Sequence, residues 1–168
     1  MIEHVLTGER ASTGGPFNVF LRSPQMGDAA QQLGAQVRFH SSLSAPLKEM
    51  AILIMSRHWT AQYEWYAHKR LALQAGLKPD VVDAIAERRR PLSMQPDEQA
   101  VYTFATELLR KTQVSDATFA AAVAAVGEQG VVDAIGLMGY YALVSMALNV
   151  DRYPLPDGAK PELRPIDR

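Results

Sequence analysis

Residues 57–68 read RHWTAQYEWYAH, and the path of the chain through them decides the fold. The apolar pattern that begins at Leu47 is long enough to continue through Trp65 and Leu71 to Gly76 as one straight helix. Glu49 and His68 would then stand about 28 Å apart at 1.5 Å per residue. The alternative is a reversal at SRHWT, residues 56–60, with Thr60 as the cap of a new helix and Arg57 and His58 in the loop. Glu64 would then lie in a first helical turn, where the helix dipole favours a carboxylate. Only the reversal can bring Glu49 to His68.

Working outward, SAPLKEMAIL at 44–53 is a strong helix start. Ser44 can accept a bond from a free backbone amide, and Pro46 occupies the first turn, where its missing N–H costs nothing. Leu47, Met50, Ala51 and Ile54 mark the buried stripe. Upstream, Met26 to His40 has Leu33, Val37 and His40 at helical spacing, and a short helix carrying Phe17, Phe20 and Leu21 fits within the loop from Thr7 to Pro24. Downstream, PDVVDAIAERRR, PDEQAVYTFATELLRK, SDATFAAAVAAVG and GVVDAIGLMGYYALVSMALNV each open near an acid, and most close on Gly or basic residues, as helix dipoles favour. Arg88, Arg89 and Arg90 read as such a C-terminal close. The tail from Asp151 holds four prolines and reads as an irregular arm. The expectation is an all-α single domain over 1–168, a bundle of six or seven helices with its core about 16–150, an N-terminal loop or arm at 1–15 and a Pro-rich arm at 151–168.

Composition narrows the chemistry. The 168 residues carry 17 basic and 18 acidic side chains, a balance that gives no field suited to a nucleic-acid backbone. No cysteine is present, which excludes disulfides, thiolate metal sites and sulfur nucleophiles. The N-terminus MIEHVLTGER does not resemble a secretory signal, and no window reaches the eighteen or so uncharged apolar residues that span a bilayer. The expectation is a soluble cytoplasmic protein with no membrane or nucleic-acid partner.

Glu64 and His68 are four apart, so on a helix they share one face with Cβ atoms about 5–6 Å apart. The plainest reading is a surface pair worth a few tenths of a kcal/mol; the chemical reading is a carboxylate and an imidazole sharing a proton. Tyr63, Trp65 and Tyr66 read first as core and interface residues, ahead of a ligand cage.

Glu49, positions 61 and 64, and His68 follow one another at intervals of twelve, three and four, between KEMAILIMSRHW and KRLALQAGL. In this pattern the chain resembles the carboxymuconolactone decarboxylase family, which includes the alkylhydroperoxidase D branch. GYYALVSMALNV followed by PLPDG is similar to the end of that family's domain, and GGPFNVFLRSP to its beginning, so the likeness runs from about Gly8 to Gly158. In the peroxidase branch positions 61 and 64 are the two cysteines of a Cys-x-x-Cys pair; here they are Ala61 and Glu64. Thiol-based peroxide reduction is therefore excluded.

The resemblance implies an all-helical fold assembling as homo-trimers or homo-hexamers. The last helix, with Met138, Tyr140, Tyr141, Leu143, Val144, Met146 and Leu148, is also apolar on too many sides for a monomer surface. What remains of the family's chemistry is acid–base work without a cofactor: His68 donating a proton, Glu64 setting its tautomer, Glu49 orienting the pair. Arg57, or more weakly His58, would hold the carboxylate of a small lactone or related acid of aromatic catabolism, and Tyr63, Trp65 and Tyr141 would wall the pocket. The competing readings are a metal-dependent hydrolase using His58, Glu64 and His68, a member carrying a peroxidase label without its chemistry, and a non-catalytic binding oligomer.

Overall fold

The computed structural model describes residues 15–166; the expected N-terminal arm therefore lies, apart from Gly15, outside the described residues. Within them the chain forms seven helices and no strand: α1 Pro16–Phe20, α2 Pro24–Phe39, α3 Ala45–Trp59, α4 Gln62–Gln74, α5 Pro79–Ala86, α6 Pro96–Lys111 and α7 Asp116–Asp151. The fold is an all-α single domain, as the sequence led us to expect.

Proline opens α2, α3, α5 and α6, its fixed φ serving a turn whose amides have no helical partner. Ser44 flanks α3 in extended conformation but makes no side-chain cap bond, so Pro46 alone of the two expected signals acts there. At α6, Gln95 and Glu98 form a capping box, with the Gln95 amide donating to Glu98 Oε2 at 2.8 Å. The two last helices expected from the sequence form one element, kinked at Gly127, whose φ of 74° a side chain would resist.

α3 is the central helix. From Met50 through Arg57 every residue is buried, the mark of a helix enclosed on all sides. It packs against α4, α5, α6 and α7, and α7 in turn covers α1, α2 and α6. Among the described helices, α7 is long and apolar enough to cross a membrane, but half of its most apolar window is buried within the protein.

The reversal between α3 and α4 is made by Thr60, which adopts the left-handed conformation (φ 50°, ψ 40°). The Ala61 amide reaches back to the Ser56 carbonyl at 2.8 Å and the Thr60 amide to that of Arg57 at 3.2 Å, a Schellman-type close in which threonine stands where glycine is usual. The left-handed form costs a side-chain-bearing residue about 1–2 kcal/mol. Thr60 thus ends α3 rather than capping α4, whose N-cap is Ala61, and Arg57 and His58 lie in the last turn of α3, not in a loop. After α7 the tail is irregular and docked. Gln62 donates to the Leu163 carbonyl at 2.7 Å and accepts from the Leu163 amide at 3.1 Å, and the Leu163 side chain is buried.

Candidate active site

The antiparallel return of α4 along α3 brings Glu49 to His68 across nineteen positions. His68 Nδ1 lies 2.7 Å from Glu49 Oε2. His68 Nε2 lies 3.3 Å from Glu64 Oε2, one turn back on α4. Tyr141, from the middle of α7, places its hydroxyl 3.2 Å from the same nitrogen, with its ring edge-on to the imidazole at 5.0 Å. His68 and Glu64 are each only 4% exposed, so their spacing is not that of a solvated surface pair.

A carboxylate at each nitrogen favours an N–H at both. A neutral ring would turn a lone pair toward Glu49 or toward Glu64, whereas the imidazolium donates to both. Burial opposes this charge and is the largest influence on the ring. The hydrogen bonds to Glu64 and Glu49, with their negative charges, outweigh it and raise the His68 pKa above its ordinary value. Burial in turn pushes the Tyr141 phenol well above the usual range, with the positive charge of Arg38 acting against it. Tyr141 thus keeps its hydroxyl proton beside the imidazole.

The sequence singled out eight residues, and the structure groups four of them here: Glu49, Glu64, His68 and Tyr141. Tyr141 does more than line a wall, because its hydroxyl reaches the imidazole; no sequence spacing signals a contact across 73 positions. Arg38, whose charge acts on Tyr141, was missed for the same reason. Trp65 is packed in the core at 1% exposure. Tyr63 stacks edge-on against Tyr153 at 4.8 Å, toward the C-terminal arm.

Arg57 and His58 go elsewhere. At roughly 100° per residue, Arg57 lies about 80° and His58 about 180° around α3 from Glu49. Both line a cavity of about 250 Å³ with Arg88, Arg90, Tyr102 and Arg110, and none of Glu49, Glu64, His68 or Tyr141 faces it. Arg57 and His58, expected to hold a substrate carboxylate at the Glu64–His68 pair, therefore face a different side of α3 from Glu49 and its partners. His58 does not join Glu64 and His68, and among the described residues no group of three or more His, Asp or Glu is arranged to hold a metal ion.

A sequence profile of the carboxymuconolactone decarboxylase family matches residues 24–107, from the start of α2 to the last turns of α6. The chain belongs to the carboxymuconolactone decarboxylase family. The matched half includes Glu49, Glu64 and His68, but not Tyr141. No curated protein matches the chain.

Proposed function

We propose that the protein is a cofactor-independent carboxy-lyase acting on a small carboxylated lactone or related unsaturated acid of aromatic catabolism, in the cytoplasm. The observation that carries this reading is the buried imidazole held between two carboxylates, Glu49 at 2.7 Å and Glu64 at 3.3 Å. Such a ring is an acid positioned for one task. In the reaction the bond from the carboxyl group to the ring carbon breaks, carbon dioxide leaves, and the electron pair spreads into the lactone's unsaturation. His68 delivers its proton from Nε2 to the carbon end of that system, and solvent restores it.

Glu49, bonded to the far nitrogen, keeps the ring oriented with Nε2 toward the substrate and stabilises the charged donor before transfer. Glu64 and Tyr141 flank Nε2, and Tyr141 can donate to an oxygen of the substrate once the ring has given up its proton. Exclusion of water strengthens each of these interactions. Nothing in this sequence of steps needs a thiol, consistent with a chain that has none.

The surface of α7 supports reading the protein as an oligomer. Val132, Ile135, Met146 and Val150 are 40–85% exposed, and with Gly139 they form one stripe at helical spacing on the side away from the core. We assign this stripe to contacts between copies of the chain in a homo-trimer or homo-hexamer.

The test of the catalytic reading is release of carbon dioxide from a carboxymuconolactone by wild type and by His68→Ala. The variant should lose turnover by about 10²–10⁴-fold, the usual worth of a positioned general acid, while its oligomer persists. Full turnover by the variant would refute the role of His68, and an inert wild type would refute the reaction.

A further inference from the structure

The cavity on the other face of α3 is built from three helix ends. Arg57 and His58 come from the last turn of α3, Arg110 from the last turn of α6, and Arg88 and Arg90 from just beyond α5. Basic residues at helix ends ordinarily offset the dipole, and that plain explanation can be checked by counting charge. Each helix end presents at most about half a negative charge, so three supply roughly −1.5. Four guanidinium groups line the cavity, and among the described residues no acidic one does. A surplus of about two and a half positive charges remains.

The acids nearest in sequence are engaged elsewhere: Glu87 with Arg89 at 2.6 Å, and Glu107 with Lys111 at 2.8 Å and with Thr118. Arg57 shows the imbalance best. It is only 6% exposed, its guanidinium donates to the Thr60 hydroxyl at 3.0 Å, and its Nε is buried with no hydrogen-bond partner among the described residues. Burying a guanidinium in this way is costly unless an anion completes it. Burial, and then the charge of Arg88, lower the pKa of both Arg57 and His58.

We infer that this cavity is a binding site for a small oxyanion ligand carrying two negative charges, separate from the Glu49–His68–Glu64 centre. Arg57 forms the floor, and the exposed Arg88, Arg90 and Arg110 form a rim that draws the anion in. A planar fork of donors suits carboxylate and phosphate equally. Ile54, Ile85 and Leu109 in the lining, and the Tyr102 ring with the Arg90 guanidinium 5.6 Å from its centroid, offer apolar and aromatic surface to a short or ring-sized body. At about 250 Å³ the space lies just below the usual range for drug-sized ligands, which limits the body to roughly one ring.

This inference does not rest on the decarboxylase reading, and calorimetric titration of the full chain at constant ionic strength tests it. The probes are phenyl phosphate and isophthalate, both dianions, with benzoate as the singly charged control. Wild type should bind at least one dianion saturably and at least tenfold more tightly than benzoate; which one binds better distinguishes a phosphate ester from a dicarboxylate. Arg88→Ala and Arg110→Ala, both at the exposed rim, should each weaken that binding at least tenfold without lowering thermal stability. Tyr141→Phe should bind the dianion as wild type does. The inference is overturned if neither dianion binds at about millimolar concentration, if the rim variants bind as wild type does, or if Tyr141→Phe abolishes binding.

Discussion

Replacing Glu49 with glutamine keeps the shape of the side chain and removes its charge beside His68 Nδ1, 2.7 Å away. With charge centres about 4 Å apart and an effective dielectric constant near 20, the lost attraction is about 4 kcal/mol. The amide oxygen can still accept the Nδ1 hydrogen, which returns about 1–1.5 kcal/mol, so the net loss is about 2–3 kcal/mol. For a domain of this size that lowers the melting temperature by roughly 5–10 °C. The sign of its pH dependence follows from His68, whose pKa is raised in the folded protein. A group of this kind contributes its full stabilisation below its unfolded pKa of about 6.5 and loses it as pH rises through the folded value. The deficit of Glu49→Gln should therefore be greatest near pH 6 and shrink on the alkaline side. Urea denaturation of wild type and variant across that range measures it. A deficit that is constant, or that grows with pH, would show that His68 is not held as a cation.

Two further outcomes follow from contacts away from the centre. Asp133 accepts from the Ser42 amide at 2.7 Å and the Ser42 hydroxyl at 2.8 Å, tying the α2–α3 connection to α7; burial opposes its charge, but these bonds and that from Ser41 lower its pKa. Its contribution is present above the unfolded value of about 3.9 and fades as pH falls through the folded one. Asp133→Ala should cost about 1–3 kcal/mol at neutral pH by urea denaturation, with a smaller deficit below pH 4. Ile135→Glu, at 49% exposure on the α7 stripe, should leave the helical content of the protomer intact and dissociate the oligomer, as read by light scattering; an unchanged mass would place the interface elsewhere.

The helices were legible because their punctuation is local: PDEQAVYTFATELLRK delimits α6 as it stands, residue for residue. Expectations shifted where the signal was not local. SDATFAAAVAAVG and GVVDAIGLMGYYALVSMALNV looked like two helices because glycines separate them, but a kink at Gly127 absorbs the break. α5 ends at Ala86 rather than at Arg90, because Arg88 turns into the left-handed region.

In the site, the pairing of Glu49 with His68 could be anticipated because the only turn available between them forces it. Arg57 and His58 were grouped with that pair because nearness in sequence does not show which face of a helix a residue occupies. Once α3 continues to Trp59, helical phase carries both away from Glu49. Tyr141 lay beyond sequence reasoning as a hydrogen-bond partner, since its place depends on how α7 crosses α3 and α4.

The dependence of carbon dioxide release on pH bears on the role of His68 as proton donor. If the imidazolium is the donor, kcat/KM should be sustained at and below neutrality and fall as pH rises through a midpoint above 6.5, the direction in which Glu49 and Glu64 move the ring. An activity that instead rises through that range would contradict it, because the reacting form of His68 would then be the neutral base.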